Sequence, residues 1–313
     1  MPVISYVGGK QRVLKHILPL LPREPIAGAY VEPFLGGGSV LEAVLRSGVA
    51  RPGAVRASDA NGALVAMHSA LKRCPDVLAE EVRRLPHQPL EAQEPAAAAG
   101  APQVADLLVD QSEEAYYAVR AEYNRYRDPA RFVYLNKTCF NGVYRETRHG
   151  AFNVPWGHNR KEVRVRARAR ARASKIEMHR LNAQVTLDRA AFADIGALYQ
   201  KYDVHFSVSD WAAAVSNVTS GDLCYLDPPY VKVSQASFTT YLATDFDAAA
   251  NGRLLDWMGA ARARGVRIIY SNHDTTAVCA RLASGWTVHR FTVSGCVRGG
   301  ASRAAELVAC SYA

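Results

Sequence analysis

Val31-Glu32-Pro33-Phe34-Leu35-Gly36-Gly37-Gly38-Ser39-Val40 is the stretch from which the architecture can be read. Tyr30 and Val31 open it as a short apolar strand, and Leu41 to Leu45 continue it as the start of a helix. Glycines between a strand and a helix permit a tight turn and a close approach of backbone to ligand. Taken alone, such a turn also suits a plain helix entry. A second strand-like run, Ala54-Val55-Arg56-Ala57, leads into Ser58-Asp59-Ala60-Asn61, so an acid follows the glycines by about 20 residues. A glycine-rich first turn with an acid at the end of the next strand is the logic of a nucleoside-binding, doubly wound sheet, in which the acid grips ribose hydroxyls.

Further along, the apolar run Leu223-Cys224-Tyr225-Leu226 reads as a buried strand and ends in Asp227-Pro228-Pro229-Tyr230. Consecutive prolines fix two φ angles and remove two donors, leaving carbonyls as rigid acceptors. The Asp227 carboxylate accepts hydrogen bonds and the Tyr230 ring offers a stacking face. Together they suit a planar group bearing an NH2, such as an adenine edge. The alternative is a proline-rich turn with a capping aspartate.

The rest of the chain alternates strands with helices, which predicts an α/β parallel sheet interrupted between about residues 65 and 180 by a mostly helical insertion. Helices are expected from Lys10 to about Leu21, Ala63 to Arg73, Ser112 to Tyr126, Ile195 to Tyr202 and Asp247 to Arg264. Strands are expected at 204–211, 223–226 and 266–270, with a final pair near 286–290 and 306–310. Arg131 to Phe140 reads as helical or extended, and Gly142 to Trp156 as a hairpin. Residues 86–105 form a Pro-, Ala- and Gln-rich stretch of low complexity. In residues 160–175, Arg164, Arg166, Arg168, Arg170 and Arg172 alternate with small apolar residues. That segment is either a solvated linker or an arm that tracks phosphates.

A formal charge of +9 and a pI near 9.3 suit a polyanionic partner, although they are compatible with a basic enzyme for small molecules. Cys74, Cys139, Cys224, Cys279, Cys296 and Cys310 form no C-x-x-C pair and no zinc-like spacing with histidine. They read as reduced thiols of a cytoplasmic protein without a metal site. No apolar run reaches the roughly 20 residues needed to span a bilayer, so no membrane partner is expected.

Several ordered motifs add to this reading. Tyr6-Val7-Gly8-Gly9-Lys10, the 32–39 loop, Tyr134-Leu135-Asn136-Lys137, Phe140-Asn141-Gly142-Val143-Tyr144-Arg145, residues 150–157, Asp227-Pro228-Pro229-Tyr230, Phe238-Thr239-Thr240-Tyr241 and Ser271-Asn272-His273-Asp274 follow one another along the chain. In this order they resemble the Dam-type DNA adenine-N6 methyltransferases, which depend on S-adenosylmethionine. Tyr6 departs from the pattern, standing where relatives carry Trp. The resemblance implies a doubly wound, mostly parallel methyltransferase sheet, with residues 1–64 and 181–313 as the catalytic domain. It implies a target-recognition domain over 65–180 that is mostly helical and carries a β-hairpin. Tyr6, Lys10, Phe34, Gly36, Gly38, Asp59, Asp210 and Asp227 would surround S-adenosylmethionine, and Asp227, Pro228, Pro229 and Tyr230 would form the catalytic loop. Asn141 and Arg145 would read bases, and Lys137 and Arg148 would touch phosphates. The implied partner is double-stranded DNA, methylated at the adenine of GATC after base flipping. The sequence leaves the oligomeric state open, with a monomer as the expectation. The alternatives are an RNA adenine methyltransferase and an inactive DNA-binding protein of the same fold.

Overall fold

In chain order the strands are β1 (Tyr30–Glu32), β2 (Val55–Asp59), β3 (Leu107–Asp110), β4 (Gln184–Leu187), β5 (His205–Val208), β6 (Leu223–Leu226), β7 (Arg267–His273), β8 (Thr287–Val297) and β9 (Gly300–Cys310). They belong to a computed structural model that describes residues 3–4, 8–85, 107–110, 112–157, 184–230, 246–282, 285–297 and 300–312. Tyr6, the 86–105 stretch, the arginine-rich 160–175 segment and Phe238-Thr239-Thr240-Tyr241 lie outside the described residues. The chain divides into two compact units, residues 1–8 with 66–197 and residues 9–65 with 198–313.

The second unit contains a seven-stranded sheet of order β5-β2-β1-β6-β7-β9-β8. Strands β5, β2, β1, β6 and β7 run parallel, while β9 runs antiparallel between β7 and β8. Every residue of β6 is buried, as a strand covered on both faces requires. Val31, Leu226, Ile268, Tyr270 and Leu307 pack with Leu254 and Met258 of the Ala248–Ala263 helix into one core. From β1 the strand order moves outward through β2 and β5, then returns to β6 on the other side. The switch point therefore lies between β1 and β6, and ligands of such sheets bind outside the carboxyl ends of the strands there. At the opposite end, Asp222 accepts hydrogen bonds from Ala29 N (2.6 Å) and Thr219 N (2.9 Å), tying the starts of β1 and β6 together.

The first unit holds helices Pro75–Arg84, Glu113–Tyr126 and Pro129–Thr138 and the antiparallel pair β3–β4. Ser112 caps the second helix through Ala115 N, and Asp128 caps the third through Arg131 N, with Pro129 in its first turn. Within this unit Gly196 sits so close to its neighbours that a Cβ there would meet Pro75 Cγ at 2.6 Å and the Leu71 carbonyl at 2.7 Å.

Two expectations need correction, and three elements were not expected. The helix expected from Lys10 to Leu21 is three short turns, Lys10–Arg12, Leu14–Ile17 and Leu18–Leu20. Pro19 lacks a donor and its ring clashes with the preceding turn, which prevents a continuous helix. The hairpin over 142–156 is not a ladder; its two sides meet in the isolated bridges Glu146↔Phe152 and Cys139↔Trp156. Left-handed Asn141, Gly142 and Gly150 and the donor-less Pro155 break the extended backbone. The helix Pro75–Arg84 and the short strands β3 and β4 were not anticipated.

Candidate active site and recognition loop

The glycine loop closes over the end of β2. Gly36 (φ 50°) and Gly38 (φ 76°) adopt left-handed backbone that side chains disfavour, and Gly38 is the N-cap of the Ser39–Ser47 helix. Leu35 N donates to the Ser58 carbonyl at 2.9 Å. Gly36 N donates to Asp59 Oδ2 at 2.9 Å, and Asn61 N to Asp59 Oδ1 at 2.8 Å. Burial raises the Asp59 carboxyl above its ordinary value, and these backbone N–H groups oppose the rise. Each oxygen keeps a second lone pair for a ligand hydroxyl. Beside it, Asn61 uses Oδ1 to cap the next helix, and its buried Nδ2 has no partner. Val208 pairs in register with Asp59 across β5–β2 and is 61 % exposed, an apolar wall next to the acid. Asp210, two residues on, caps the Trp211–Ala214 turn through Ala212 N and Ala213 N. Phe34 meets Phe246 edge to face at 5.9 Å. A turn that excludes side chains, an acid with spare acceptors, an orphaned donor and an apolar wall fit a nucleoside-containing cofactor.

The second half of the site is one linked set of side chains. Lys10 is only 5 % exposed. Its Nζ lies 3.0 Å from Asp227 Oδ1 and donates to the Tyr230 hydroxyl at 2.5 Å. It is also 4.5 Å from the Tyr230 ring centre. With the hydroxyl so much nearer, the ammonium sits beyond the ring edge as a hydrogen-bond donor, not over the face. Burial alone would lower the Lys10 ammonium, but Asp227 and Tyr230 together raise it above the ordinary lysine value. Burial pushes Asp227 up to about 6, with Lys10 restraining the rise. The Tyr230 hydroxyl donates to Glu306 Oε2 at 3.2 Å, and its ring lies 4.1 Å from that of His273. Behind the loop, Glu32 is buried and accepts from the Tyr30 hydroxyl at 2.5 Å; burial raises its carboxyl well above the ordinary value. Pro228 is buried and Pro229 exposed.

In the other unit, four rings hold a loop on two helices. Tyr123 approaches Phe132 (6.3 Å) and Phe152 (6.0 Å), and Tyr144 approaches Phe132 (5.6 Å) and Phe152 (5.7 Å). Asn124 pins the same loop from both sides, Nδ2 donating to the Phe152 carbonyl and Oδ1 accepting from Phe152 N. Across the loop Arg145 Nε donates to Asn153 Oδ1 at 2.8 Å, which orients its exposed guanidinium. Asn141 is exposed with φ 57°, beside Phe140, which is 53 % exposed. Arg148 is exposed in the Thr147–Gly150 turn, and Lys137 is half-buried on the last turn of its helix.

The structure thus groups Lys10 with Asp227 and Tyr230, and Gly36 with Asp59. It puts Asn141, Arg145, Arg148 and Lys137 in one unit, at or beside one loop. Tyr6 lies outside the described residues. Glu306, Asn61 and Phe140 were not singled out from sequence; the exposed Phe140 beside an Asn-Gly turn was the one local signal. Among the described residues no helix is long and apolar enough to cross a membrane, and no group of three or more His, Cys, Asp or Glu side chains is arranged to hold a metal ion.

Comparison with known proteins agrees in kind with this site. The chain is 28 % identical over 300 residues to the type II methyltransferase M.MjaIII of Methanocaldococcus jannaschii, covering 92 % of this chain and 90 % of that protein. It is 25 % identical over 279 residues to the DNA adenine methylase of Escherichia coli K12, covering 87 % and 80 %. It is 24 % identical over 299 residues to the type II methyltransferase M1.LlaDCHI of Lactococcus lactis, covering 93 % and 87 %. The family described as D12 class N6 adenine-specific DNA methyltransferase matches residues 6–194 and 188–290. With nearly the whole chain matched, this protein belongs to the D12 class of N6 adenine-specific DNA methyltransferases.

Proposed function

We propose that this enzyme methylates the exocyclic N6 of adenine in duplex DNA, at GATC, on a base turned out of the helix. The observation that carries the reading is the linked set Lys10–Asp227–Tyr230 beside the β1–β6 switch point. The amino nitrogen of adenine is a weak nucleophile because its lone pair is delocalised into the ring. Asp227 and the Pro228 carbonyl are assigned to accept one N–H each, which favours a pyramidal nitrogen with its lone pair free. This is catalysis by positioning and electrostatics. Lys10 engages Asp227 Oδ1, so Oδ2 is assigned to the amino group. His273 backs one side of the Tyr230 ring, and the other is assigned to the base.

S-adenosylmethionine would supply an electrophilic methyl group. Asp59 would take the ribose hydroxyls, Gly36 and Gly38 would admit the close approach, and Phe34, Asp210, Lys10 and Asp227 would complete the surround. Residues 1–64 with 181–313 are assigned to catalysis, and residues 65–180 to target recognition. There Arg145 would read a guanine by a bidentate contact with Asn141 beside it, and Lys137 and Arg148 would contact phosphates. Exposed Phe140 has the character of an apolar wedge between base steps.

The test is methyl transfer from radiolabelled S-adenosylmethionine to duplexes with and without GATC, followed by nucleoside analysis. Label in N6-methyladenine with GATC alone is expected. Equal label in both duplexes refutes the site while keeping the chemistry, and label in RNA alone refutes DNA as substrate.

A further inference from the structure

Glu306 reaches the site from a strand that runs the other way. Because β9 is antiparallel to β7, its pairing with β7 begins at the carboxyl edge of the parallel strands, where Glu306 pairs in register with His273. One cross-strand pair therefore supports both parts of Tyr230: His273 lies against the ring at 4.1 Å, and Glu306 accepts from the hydroxyl at 3.2 Å. Directly opposed residues on adjacent strands project from the same face, so the support is built into the sheet and not into a loop.

The direction of each hydrogen bond is forced. An ammonium only donates and a carboxylate only accepts. Lys10 must donate to the phenol oxygen, and the phenol proton must point to Glu306. With that proton committed, the oxygen presents a lone pair to Lys10, whose ammonium also meets Asp227 Oδ1 at 3.0 Å. If Glu306 were absent, the phenol proton would be released to seek the nearest acceptor, Asp227 included. It would then compete with Lys10 and with the substrate amino group.

We propose that Glu306 is a positioning residue for methyl transfer: by taking the Tyr230 proton, it fixes the tyrosine as an acceptor for Lys10 and keeps the Asp227 carboxylate open to the substrate. The inference rests on the function proposed above. Glu306 touches neither substrate nor cofactor in this scheme; it acts through Tyr230.

Steady-state methyl transfer by Glu306→Ala, Glu306→Gln, Tyr230→Phe and the Tyr230→Phe/Glu306→Ala double variant tests it, with circular dichroism melts confirming folding. Loss of a hydrogen bond to a charged group predicts a fall in kcat of about tenfold to a hundredfold for Glu306→Ala, with little change in KM for DNA or cofactor. Glu306→Gln keeps an acceptor of the same shape and should recover most of the rate. It also removes a negative charge that faces Asp227 together with Lys10 and Tyr230, so the acid limb of its pH profile should move to lower pH. In the double variant Glu306→Ala should add no loss to that of Tyr230→Phe, because the hydroxyl is already gone. Wild-type kcat in Glu306→Ala, or losses that multiply in the double variant, would overturn the role while leaving the proposed function intact. A wild-type protein that methylates no DNA would overturn the function and this role together.

Discussion

Replacing Lys10 by methionine removes a charge that opposes the burial of Asp227 while keeping a side chain of similar length. The carboxyl stands near 6 with the ammonium 3.0 Å away. An opposite charge at that range lowers the proton affinity of a carboxyl by about tenfold to a thousandfold, so its loss should carry the Asp227 carboxyl above neutrality. The sign is fixed by chemistry: Asp227 must be ionised to accept an amino hydrogen, so a higher pKa narrows the active range from the acid side. At pH 7 a group near 6 is about 90 % ionised, and one at 8 is about 10 % ionised. The rate at pH 7 should therefore fall about twofold to a hundredfold through ionisation alone, with recovery as pH rises toward 9. The assay is kcat/KM for duplex DNA against pH, compared between wild type and Lys10→Met. The position of the acid limb matters more than the amplitude, because any loss of cofactor contact lowers the curve without moving it. A variant whose acid limb coincides with that of wild type would show that Lys10 does not control Asp227.

Asp59→Ala should weaken S-adenosylmethionine binding by about tenfold to a hundredfold in calorimetry, since it removes a charged acceptor and the anchor of Gly36 N; DNA affinity should be unchanged. Arg145→Ala should cost about 1–3 kcal/mol of discrimination at one base pair, measured by rates on singly substituted duplexes, whereas Arg148→Ala should weaken all duplexes alike. Gly28→Ala should destabilise the protein by about 1–3 kcal/mol in denaturant melts. A Cβ at Gly28 would come within 2.1 Å of Asp222 Oδ1 and 2.7 Å of the Asp222 backbone nitrogen, at the clasp between β1 and β6.

The parts of the site that were legible in sequence are those whose grammar is local. Strand, glycine turn, helix, and then an acid closing the next strand can be read within 30 or so residues, because turn conformation and strand ending are set by neighbours. Tyr230 and Glu306 are 76 residues apart, and only the reversed strand β9 brings them together. A search confined to the carboxyl ends of parallel strands passes over a residue in the middle of an antiparallel one. The depth of Lys10 was equally hidden. In sequence it is a lysine after two glycines, and its partner in Tyr230 is 220 residues away. The loop over 142–156 was read as a hairpin because extended-favouring residues flank turn residues. The same turn residues, at Asn141, Gly142 and Gly150, interrupt the pairing, and the aromatic packing of Tyr123, Phe132, Tyr144 and Phe152 holds the loop instead.

The opposed effects on Asp227 make sense for the reaction proposed. A carboxylate at its ordinary value is a poor acceptor for an amino group as weakly acidic as that of adenine. Burial improves it, since a more basic oxygen accepts more strongly, but unchecked burial would protonate it at neutral pH and turn the acceptor into a donor. Lys10 sets the stopping point: with the ammonium in place the carboxyl remains near 6, more basic than an exposed aspartate and still ionised above neutrality. The same value suits the step after methyl transfer, when the substituted nitrogen must shed a proton. Asp227 Oδ2 can hold that proton briefly and release it to water at pH 7 or above. An Asp227→Asn variant separates these roles. The amide keeps one oxygen acceptor and the shape of the loop, but it cannot hold the proton and replaces the charge with a dipole. If acceptance alone mattered, the amide would retain much of the rate; if charge and proton capacity matter as argued, kcat should collapse while DNA binding persists. An active Asp227→Asn enzyme would therefore refute the tuning argument even with every distance in the site unchanged.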